Sequence, residues 1–153
     1  MTDAVLVRAP VGVVYRTLTD LDGWPRWLPG CRSSRVGVPR DVPGGVAGGA
    51  GERHRLVLRA GGLRRLRVVV DVDGWRHDAG VRWQVLGPGG PRTEWWLEQG
   101  PEGTVVHHVV HGEPPGRGGR RRVARHRRAA MLAMQAMKDH LELAVAVAAG
   151  RVP

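Results

Sequence analysis

Several residue types are missing from the sequence. It contains no phenylalanine, isoleucine or asparagine, and Lys138 is its only lysine. These four residue types have AT-rich codons, whereas arginine, glycine, alanine, valine and proline are abundant. A GC-rich genome therefore explains most of the arginine and most of the formal net charge of +10, so this charge need not indicate an anionic partner.

Other absences exclude whole classes of protein. The single cysteine, Cys31, rules out an intrachain disulfide framework, and neither a CxxC motif nor a Cys/His zinc spacing occurs. No run of about 18 apolar residues is present to span a membrane, and no basic start leads into a long apolar segment. We therefore expect a cytoplasmic protein with one domain over residues 1–153 and no metal site.

Most of the chain consists of short apolar runs separated by glycine- and proline-rich turns. This pattern predicts the strands of an antiparallel meander, at residues 4–8, 31–38, 52–59, 63–72, 81–86, 92–99 and 104–111. After the first strand, apolar residues at helical spacing predict one helix, and residues 21–28 predict a second, strained by Pro25. Residues 39–51 are predicted to form a loop.

The last part of the chain predicts one long helix. From Gly116 the sequence is basic and then helical without interruption to about residue 149. Ala130, Met134, Met137 and Leu141 recur at steps of three and four, which is typical of one face of an amphipathic helix. The antiparallel sheet is the available partner for that apolar face, so the sequence predicts an α+β fold.

The order of the elements and the local sequence resemble one known superfamily. Residues 6–30, with LVRAP followed by VVYRTLTDLDGWPRWLPG, are similar to the Bet v 1/START-like (SRPBCC) helix-grip proteins, in particular the polyketide cyclase/dehydrase-like family. Residues 94–108 and 127–142 match it more weakly. The resemblance implies a curved antiparallel sheet wrapped around the long C-terminal helix, two short helices after the first strand, and an elongated apolar cavity.

Members of this superfamily have different functions, so the fold alone does not decide between them. The resemblance implies a protein that binds an extended apolar, polyketide-like molecule, as a cyclase/dehydrase that needs no cofactor. The alternative is a non-enzymatic carrier or sensor of a lipid or isoprenoid. A chaperone-like or RNA-associated protein is a third possibility.

Aromatic and sulfur-containing side chains are the candidates for contacts with such a ligand. These are Trp24 and Trp27 near the cavity rim, Cys31, Trp83, Trp95, Met134 and Met137. Period-two alternation points Trp83 and Trp95 inward and Trp96 outward. Trp75 follows Asp73-Gly74 and is interpreted as a loop or gate residue. Ordinary core packing is the alternative role, favoured for Trp27 and for the methionines, and Cys31 is interpreted as a small apolar filler.

Residues 63–72 leave two strand registers open. Catalytic members of the family carry a tyrosine after the helix pair and an arginine on a central strand, and these positions hold Cys31 and about Asp71 here. If Arg67 and Asp71 face inward, they form a charged pair that can polarise a ligand carbonyl. If the alternate residues face inward, the wall is apolar, and the apolar alternation favours this second register.

Histidine is the other source of acid–base chemistry. His108 shares a strand face with Val106 and Val110 and is the best candidate for a cavity base. Desolvation should lower its pKa and keep it neutral, so that it can take a proton from a methylene between two ketones. A structural hydrogen bond is the alternative. His107 and His111 face the opposite way, whereas His54 and Glu52 are candidates for a cavity mouth.

Residues 117–128 carry seven arginines at the start of the long helix. The simplest interpretation is a solvated helix end whose arginines reflect the overall composition of the sequence. An acidic partner such as an acyl carrier protein is the second interpretation. Nucleic acid is the least favoured, because no aromatic residues are interleaved with the arginines. A homodimer is an open alternative, and no membrane span is expected.

Overall fold

The computed structural model describes residues 2–36, 52–59, 65–86, 91–111 and 116–151, without the side chains of residues 73, 75, 116 and 117. The elements in chain order are β1 (Thr2–Val7), α1 (Val11–Thr19), a 3₁₀ helix (Leu21–Arg26), β2 (Arg32–Arg35), β3 (Arg53–Arg59), β4 (Arg65–Arg76), β5 (Gly80–Leu86), β6 (Arg92–Gly100), β7 (Gly103–His111) and α2 (Gly116–Ala148). The predicted loop 39–51 and the turns at 60–62 and 87–90 lie outside the described residues.

The strands form one sheet in the order β1-β7-β6-β5-β4-β3-β2, and every neighbouring pair is antiparallel. Strands β2 to β7 therefore follow each other as a meander, and β1 closes the far edge beside β7. Helix α2 lies against this sheet and contacts β1, β7, β3 and β4. The predicted helix-grip fold is confirmed.

Alternation along the strands explains which face packs on α2. In β7 the buried side chains are Thr104, Val106, His108 and Val110, and β6 and β5 show the same period of two. Helix α2 buries the predicted stripe of Ala130, Met134, Met137 and Leu141. These two faces meet in the hydrophobic core.

The second short helix differs from its prediction. Residues 21–26 form a 3₁₀ helix that ends at Arg26, with Pro25 inside it. Proline has no N–H to continue an α-helical ladder, so a tight turn fits this sequence better than two α-helical turns. The Asp20 carboxylate accepts a hydrogen bond from the Gly23 N–H at 3.0 Å and caps the start of this helix.

Strand β4 is longer than predicted. It continues past Val72 to Arg76, and Trp75 is paired with Val81 of β5. The interpretation of Trp75 as a loop residue is therefore wrong. A register shift between Val72 and Gly74 lets the strand pass through the Asp73-Gly74 dipeptide, which sequence rules assign to a turn.

Candidate ligand-binding site

Three tryptophans meet in the interior between the sheet and the helices. The ring centroids of Trp24 and Trp83 are 5.5 Å apart, those of Trp83 and Trp95 are 5.5 Å apart, and those of Trp24 and Trp95 are 6.4 Å apart. Trp83 and Trp95 face inward as predicted, and each is 3% exposed. Such aromatic clusters provide large apolar contact areas with defined geometry.

Trp24 does not lie at the rim expected for it, and it is more deeply buried than Trp27. Trp24 is 1% exposed, and its Nε1–H donates a hydrogen bond to the Leu18 carbonyl at 3.0 Å, so it lies inside the core and not at a rim. Trp27 is only half-buried, and its ring centroid is 5.3 Å from that of Trp24. Trp27 packs against the core cluster, which agrees with the core role favoured for it, and Trp24 belongs to that cluster itself.

Met134, Met137 and Cys31 belong to the same buried cluster. Both methionines are 1% exposed on the face of α2 that meets the sheet. Burial raises the pKa of the Cys31 thiol to about 11, so little thiolate forms near neutral pH. Cys31 is thus a filler in the wall and not a nucleophile.

Several polar atoms in this interior form no hydrogen bond with any described residue. They are Trp83 Nε1, Trp95 Nε1, the Thr93 hydroxyl, and both ring nitrogens of His108 and of His126. Register pairs Trp83 with Thr93 and Trp95 with His108, so these groups occupy neighbouring positions on the inner face. An unpaired buried polar group costs about 1–3 kcal/mol, and such groups are few in folded proteins.

His108 lies at the centre of this polar set. Its side chain is fully buried, and its ring centroid is 4.6 Å from that of Trp95. Desolvation is the main cause that lowers its pKa to about 3, followed by the charge of His126, while Asp3 raises it and Arg127 lowers it by a smaller amount. The inward orientation predicted for His108 is confirmed, and the lowered pKa agrees with the neutral state expected for it.

His126 is a second interior histidine that the sequence reasoning missed. It projects from α2, is 9% exposed, and its ring centroid is 5.3 Å from that of His108. Burial lowers its pKa to about 4. The signal was present, because His126 precedes Ala130 and Met134 at steps of four and so extends the apolar stripe. The arginines around His126 made this segment resemble a solvated, charged helix end.

Arg67 and Asp71 lie outside this interior. Arg67 is exposed, and the Asp71 carboxylate accepts hydrogen bonds of 2.6 Å and 2.9 Å from the Arg53 guanidinium of the adjacent strand. The register that turns both residues inward is therefore wrong, because Val70 and Val72 of the other face are buried. The predicted apolar wall is confirmed.

His54 and Glu52 are buried in a separate polar cluster at the other end of the sheet. His54 Nε2 is 3.4 Å from Glu52 Oε2, and His54 Nδ1 is 3.4 Å from an Asp22 carboxylate oxygen. Arg35 pairs with both carboxylates, at 3.2 Å to Asp22 and 3.5 Å to Glu52. This cluster ties the 3₁₀ helix to β2 and β3.

The outer face of the sheet carries the remaining histidines of β7. His107 lies 3.3 Å from a Glu98 carboxylate oxygen, and His111 lies 3.3 Å from one of Glu94. Among the described residues, no group of three or more His, Cys, Asp or Glu side chains could hold a metal ion. None of the described helices is long and apolar enough to cross a membrane.

A pocket of about 180 Å³ lies between β4, β5 and β6, lined by Gly74, Arg76, Gly80, Val81, Arg82, Glu94, Trp95 and Trp96. The Arg76 guanidinium stands 4.8 Å from the centroid of the Trp96 ring, and the Trp96 Nε1–H donates to Glu94. This pocket is smaller than the roughly 300–1,000 Å³ typical of ligand sites. We take the interior next to His108 as the candidate site because most of the buried polar atoms without a described hydrogen-bond partner lie there.

Comparison with known proteins agrees with this arrangement. The sequence model of a protein family described as "Polyketide cyclase / dehydrase and lipid transport" matches residues 1–143. The chain belongs to this family. No curated protein matches the chain significantly.

Solved structures share the fold of this polyketide cyclase/dehydrase family member. The di-domain ARO/CYC StfQ from the steffimycin biosynthetic pathway is 16% identical with a TM-score of 0.66, and the match covers 95% of this chain and 51% of StfQ. A START superfamily protein from Mycobacterium smegmatis is 14% identical with a TM-score of 0.65, covering 94% and 97% of the two chains. The Aha1 dimer from Colwellia psychrerythraea is 19% identical with a TM-score of 0.63, covering 93% and 95%.

Proposed function

We propose that this protein binds an extended apolar, polyketide-like molecule between the sheet and α2, and acts on it as a cofactor-independent cyclase/dehydrase. The observation that carries the proposal is His108, a fully buried and neutral imidazole whose two ring nitrogens bond to no described residue. A site that only packs against an apolar ligand does not need such a group, since burying an imidazole without a hydrogen-bond partner costs folding free energy.

The reaction begins with proton removal. The unprotonated ring nitrogen of His108 takes a proton from a methylene flanked by two carbonyls, and the C–H electron pair becomes an enolate. The enolate carbon attacks a distant carbonyl of the same chain, which the shaped interior holds within reach. His108 then returns its proton to the new alkoxide oxygen, so that atoms and charges balance.

The low pKa of His108 in the free protein appears unfavourable for a base, because general bases work best with a pKa near the working pH. The enolate that forms beside the ring offsets this effect, since a nearby negative charge favours the protonated imidazole. The same charge is stabilised by the unpaired N–H groups of Trp83 and Trp95 and by the hydroxyl of Thr93.

A carrier or sensor of a lipid or isoprenoid is the second candidate. It is favoured by the apolar surface of Trp24, Met134 and Met137, which dominates the interior around the polar set. In that case His108 and Thr93 bind a polar group of the ligand and no bond changes.

The test uses a chemical mimic, the N-acetylcysteamine thioester of 3-oxodecanoic acid. Exchange of its C2 protons with D2O, followed by NMR, reports enolisation directly. We expect wild-type protein to accelerate exchange over buffer, and His108→Gln and His108→Ala to be slower by about 10²–10⁴-fold. The control is His107→Gln, on the outer face of the same strand.

Ligand affinity is followed in parallel by the quenching of tryptophan emission with 8-anilinonaphthalene-1-sulfonate. Retained quenching in the His108 variants shows that the interior is intact. Equal exchange rates for wild type and both His108 variants would reject catalysis by His108 and favour the carrier.

A further inference from the structure

We propose that His126 of α2 is a second catalytic residue of the interior site, donating a hydrogen bond to the substrate carbonyl oxygen while His108 removes the adjacent proton. The inference rests on the proposed function. It adds a helix residue whose ring lies beside that of the strand residue, with the centroids 5.3 Å apart, and it makes the site a pair of histidines.

The geometry places both rings where they can reach one guest molecule. His108 projects from β7 and His126 from α2, with ring centroids 5.3 Å apart and ring planes inclined by 37°. None of the four ring nitrogens makes a hydrogen bond with a residue that the structure describes, so the two rings are not bonded to each other. A neutral imidazole carries one N–H donor and one acceptor nitrogen. The pair therefore offers two donors and two acceptors.

An ion pair beside the histidines holds this part of α2 in place. The Asp3 carboxylate of β1 accepts hydrogen bonds from Arg127 Nε at 3.0 Å and 2.7 Å, and the Asp3 side chain is only 8% exposed. Asp3 is the register partner of His108, and Arg127 follows His126 in the chain. The contact between Asp3 and Arg127 thus fixes the strand and the helix that carry the two histidines.

Burial is the main reason why both rings stay neutral. Desolvation is the first cause of the lowered pKa of both rings, and a charge on His126 lowers the pKa of His108 further. Of the ion-pair partners, Arg127 lowers the pKa of His108 and Asp3 raises it. At neutral pH both histidines therefore keep a free lone pair and a free N–H.

The proposed step balances without any co-reactant. His108 takes the methylene proton, the C–H electron pair forms the C=C bond, and the carbonyl π pair moves to oxygen. That oxygen accepts a hydrogen bond from the His126 N–H, which keeps its own proton. His108 holds the methylene proton while the enolate carbon attacks the distant carbonyl, and then gives it to the new alkoxide oxygen, which leaves two neutral histidines. We assign to His126 the role of hydrogen-bond donor to the carbonyl oxygen, because His108 already acts as the base.

The experiment separates a donor from a mere space-filler. His126→Gln keeps an N–H donor, whereas His126→Leu keeps the bulk and removes it. In the exchange assay with the 3-oxodecanoyl thioester we expect His126→Leu to be slower by about 10²–10³-fold, as for loss of one oxyanion donor, and His126→Gln to keep most of the wild-type rate. The matched control is His140→Gln, on an exposed position of α2.

NMR titration of the histidine rings provides a readout that does not depend on activity. Removing His126 removes the charge that lowers the pKa of His108, so that pKa should rise in His126→Leu and in His126→Gln. An unchanged His108 pKa in both variants would contradict the pairing.

The outcomes are distinguishable. Acceleration by wild type that persists in His126→Leu, or that is lost equally in the Leu and Gln variants, overturns the donor role alone. No acceleration by wild type overturns the proposed function and this inference together.

Discussion

The buried polar side chains are of two kinds: those that have a hydrogen-bond partner and those that have none among the described residues. The Trp24 N–H donates to the Leu18 carbonyl and the Thr104 hydroxyl donates to the Ala9 carbonyl at 2.8 Å, so these groups serve the fold. The Trp95 N–H and the Thr93 hydroxyl, a few residues away on the sheet, bond to no group within the described ranges. Because all are equally buried, their difference in partners indicates a difference in role. We infer that the unpaired group serves a guest molecule.

Cys31 gives a prediction at the same scale. With a pKa of about 11 and 7% exposure, it should react with 5,5′-dithiobis(2-nitrobenzoate) at pH 8 at least about 10²-fold more slowly than an ordinary thiol of pKa about 8.5. The same protein in guanidinium provides the reference rate. Similar rates in the folded and unfolded protein would show that the thiol is accessible and that Cys31 does not lie in the core wall.

Helix α2 is the element on which the site depends. Polar contacts attach it along β1, where Lys138 donates to the Leu6 carbonyl at 2.9 Å and Glu142 accepts from the Arg8 N–H at 2.9 Å. Its buried stripe ends at Leu141, and Leu143 and Val147 beyond it are 56% and 51% exposed. The helix is therefore longer than the sheet surface it covers.

Two leucines of α2, one at the end of the buried stripe and one beyond it, test where the packing of the helix on the sheet ends. Leu141→Ala removes a side chain that is 4% exposed and should lower the free energy of unfolding by roughly 2–5 kcal/mol. Leu143→Ala, two residues further, should change it by less than about 0.5 kcal/mol. Urea unfolding measures both. Similar losses for the two variants would contradict the packing of α2 on the sheet.

On the scale of the whole molecule, the buried histidines link stability to pH. The folded-state pKa values of His108 and His126 are about 3 and about 4, whereas an unfolded histidine titrates near 6.5. Between these values the unfolded chain binds more protons than the folded one. The two neutral histidines therefore make their full contribution to the free energy of unfolding above pH 6.5, and this contribution is lost as the pH falls toward 3.

The expected result is an unfolding free energy that decreases steadily from pH 6.5 to pH 4.5, by up to roughly 1.4 kcal/mol per pH unit for each histidine. Asp3, Glu94 and Glu142 also have lowered pKa values and begin to contribute toward the lower end of this window, so the comparison between variants assigns the effect to the histidines. Urea unfolding at four pH values measures the slope. His126→Gln should flatten it and His107→Gln should not, while a flat wild-type profile would contradict neutral burial of the pair.

Local periodicity made the architecture predictable. Steps of two in β5, β6 and β7, and steps of three and four from Ala130 to Leu141, identify an apolar face from neighbouring residues alone. The same reasoning turned His108 inward, because its strand neighbours Val106 and Val110 mark the buried face. These inferences need no distant contact, so sequence was sufficient for them.

Which residues come together at the candidate site depends on contacts between parts of the chain that are far apart in the sequence. In β4 both strand faces carry valine, so pairing with Arg53 of β3 was needed to place Asp71 on the outer face. Trp24 enters the core because the 3₁₀ helix turns its indole toward the Leu18 carbonyl. His126 meets His108 because α2 crosses β7 while Arg127 bonds to Asp3 of β1. A local pattern can favour one face of a strand, as it does in β4, but it does not show which distant residue a side chain will contact.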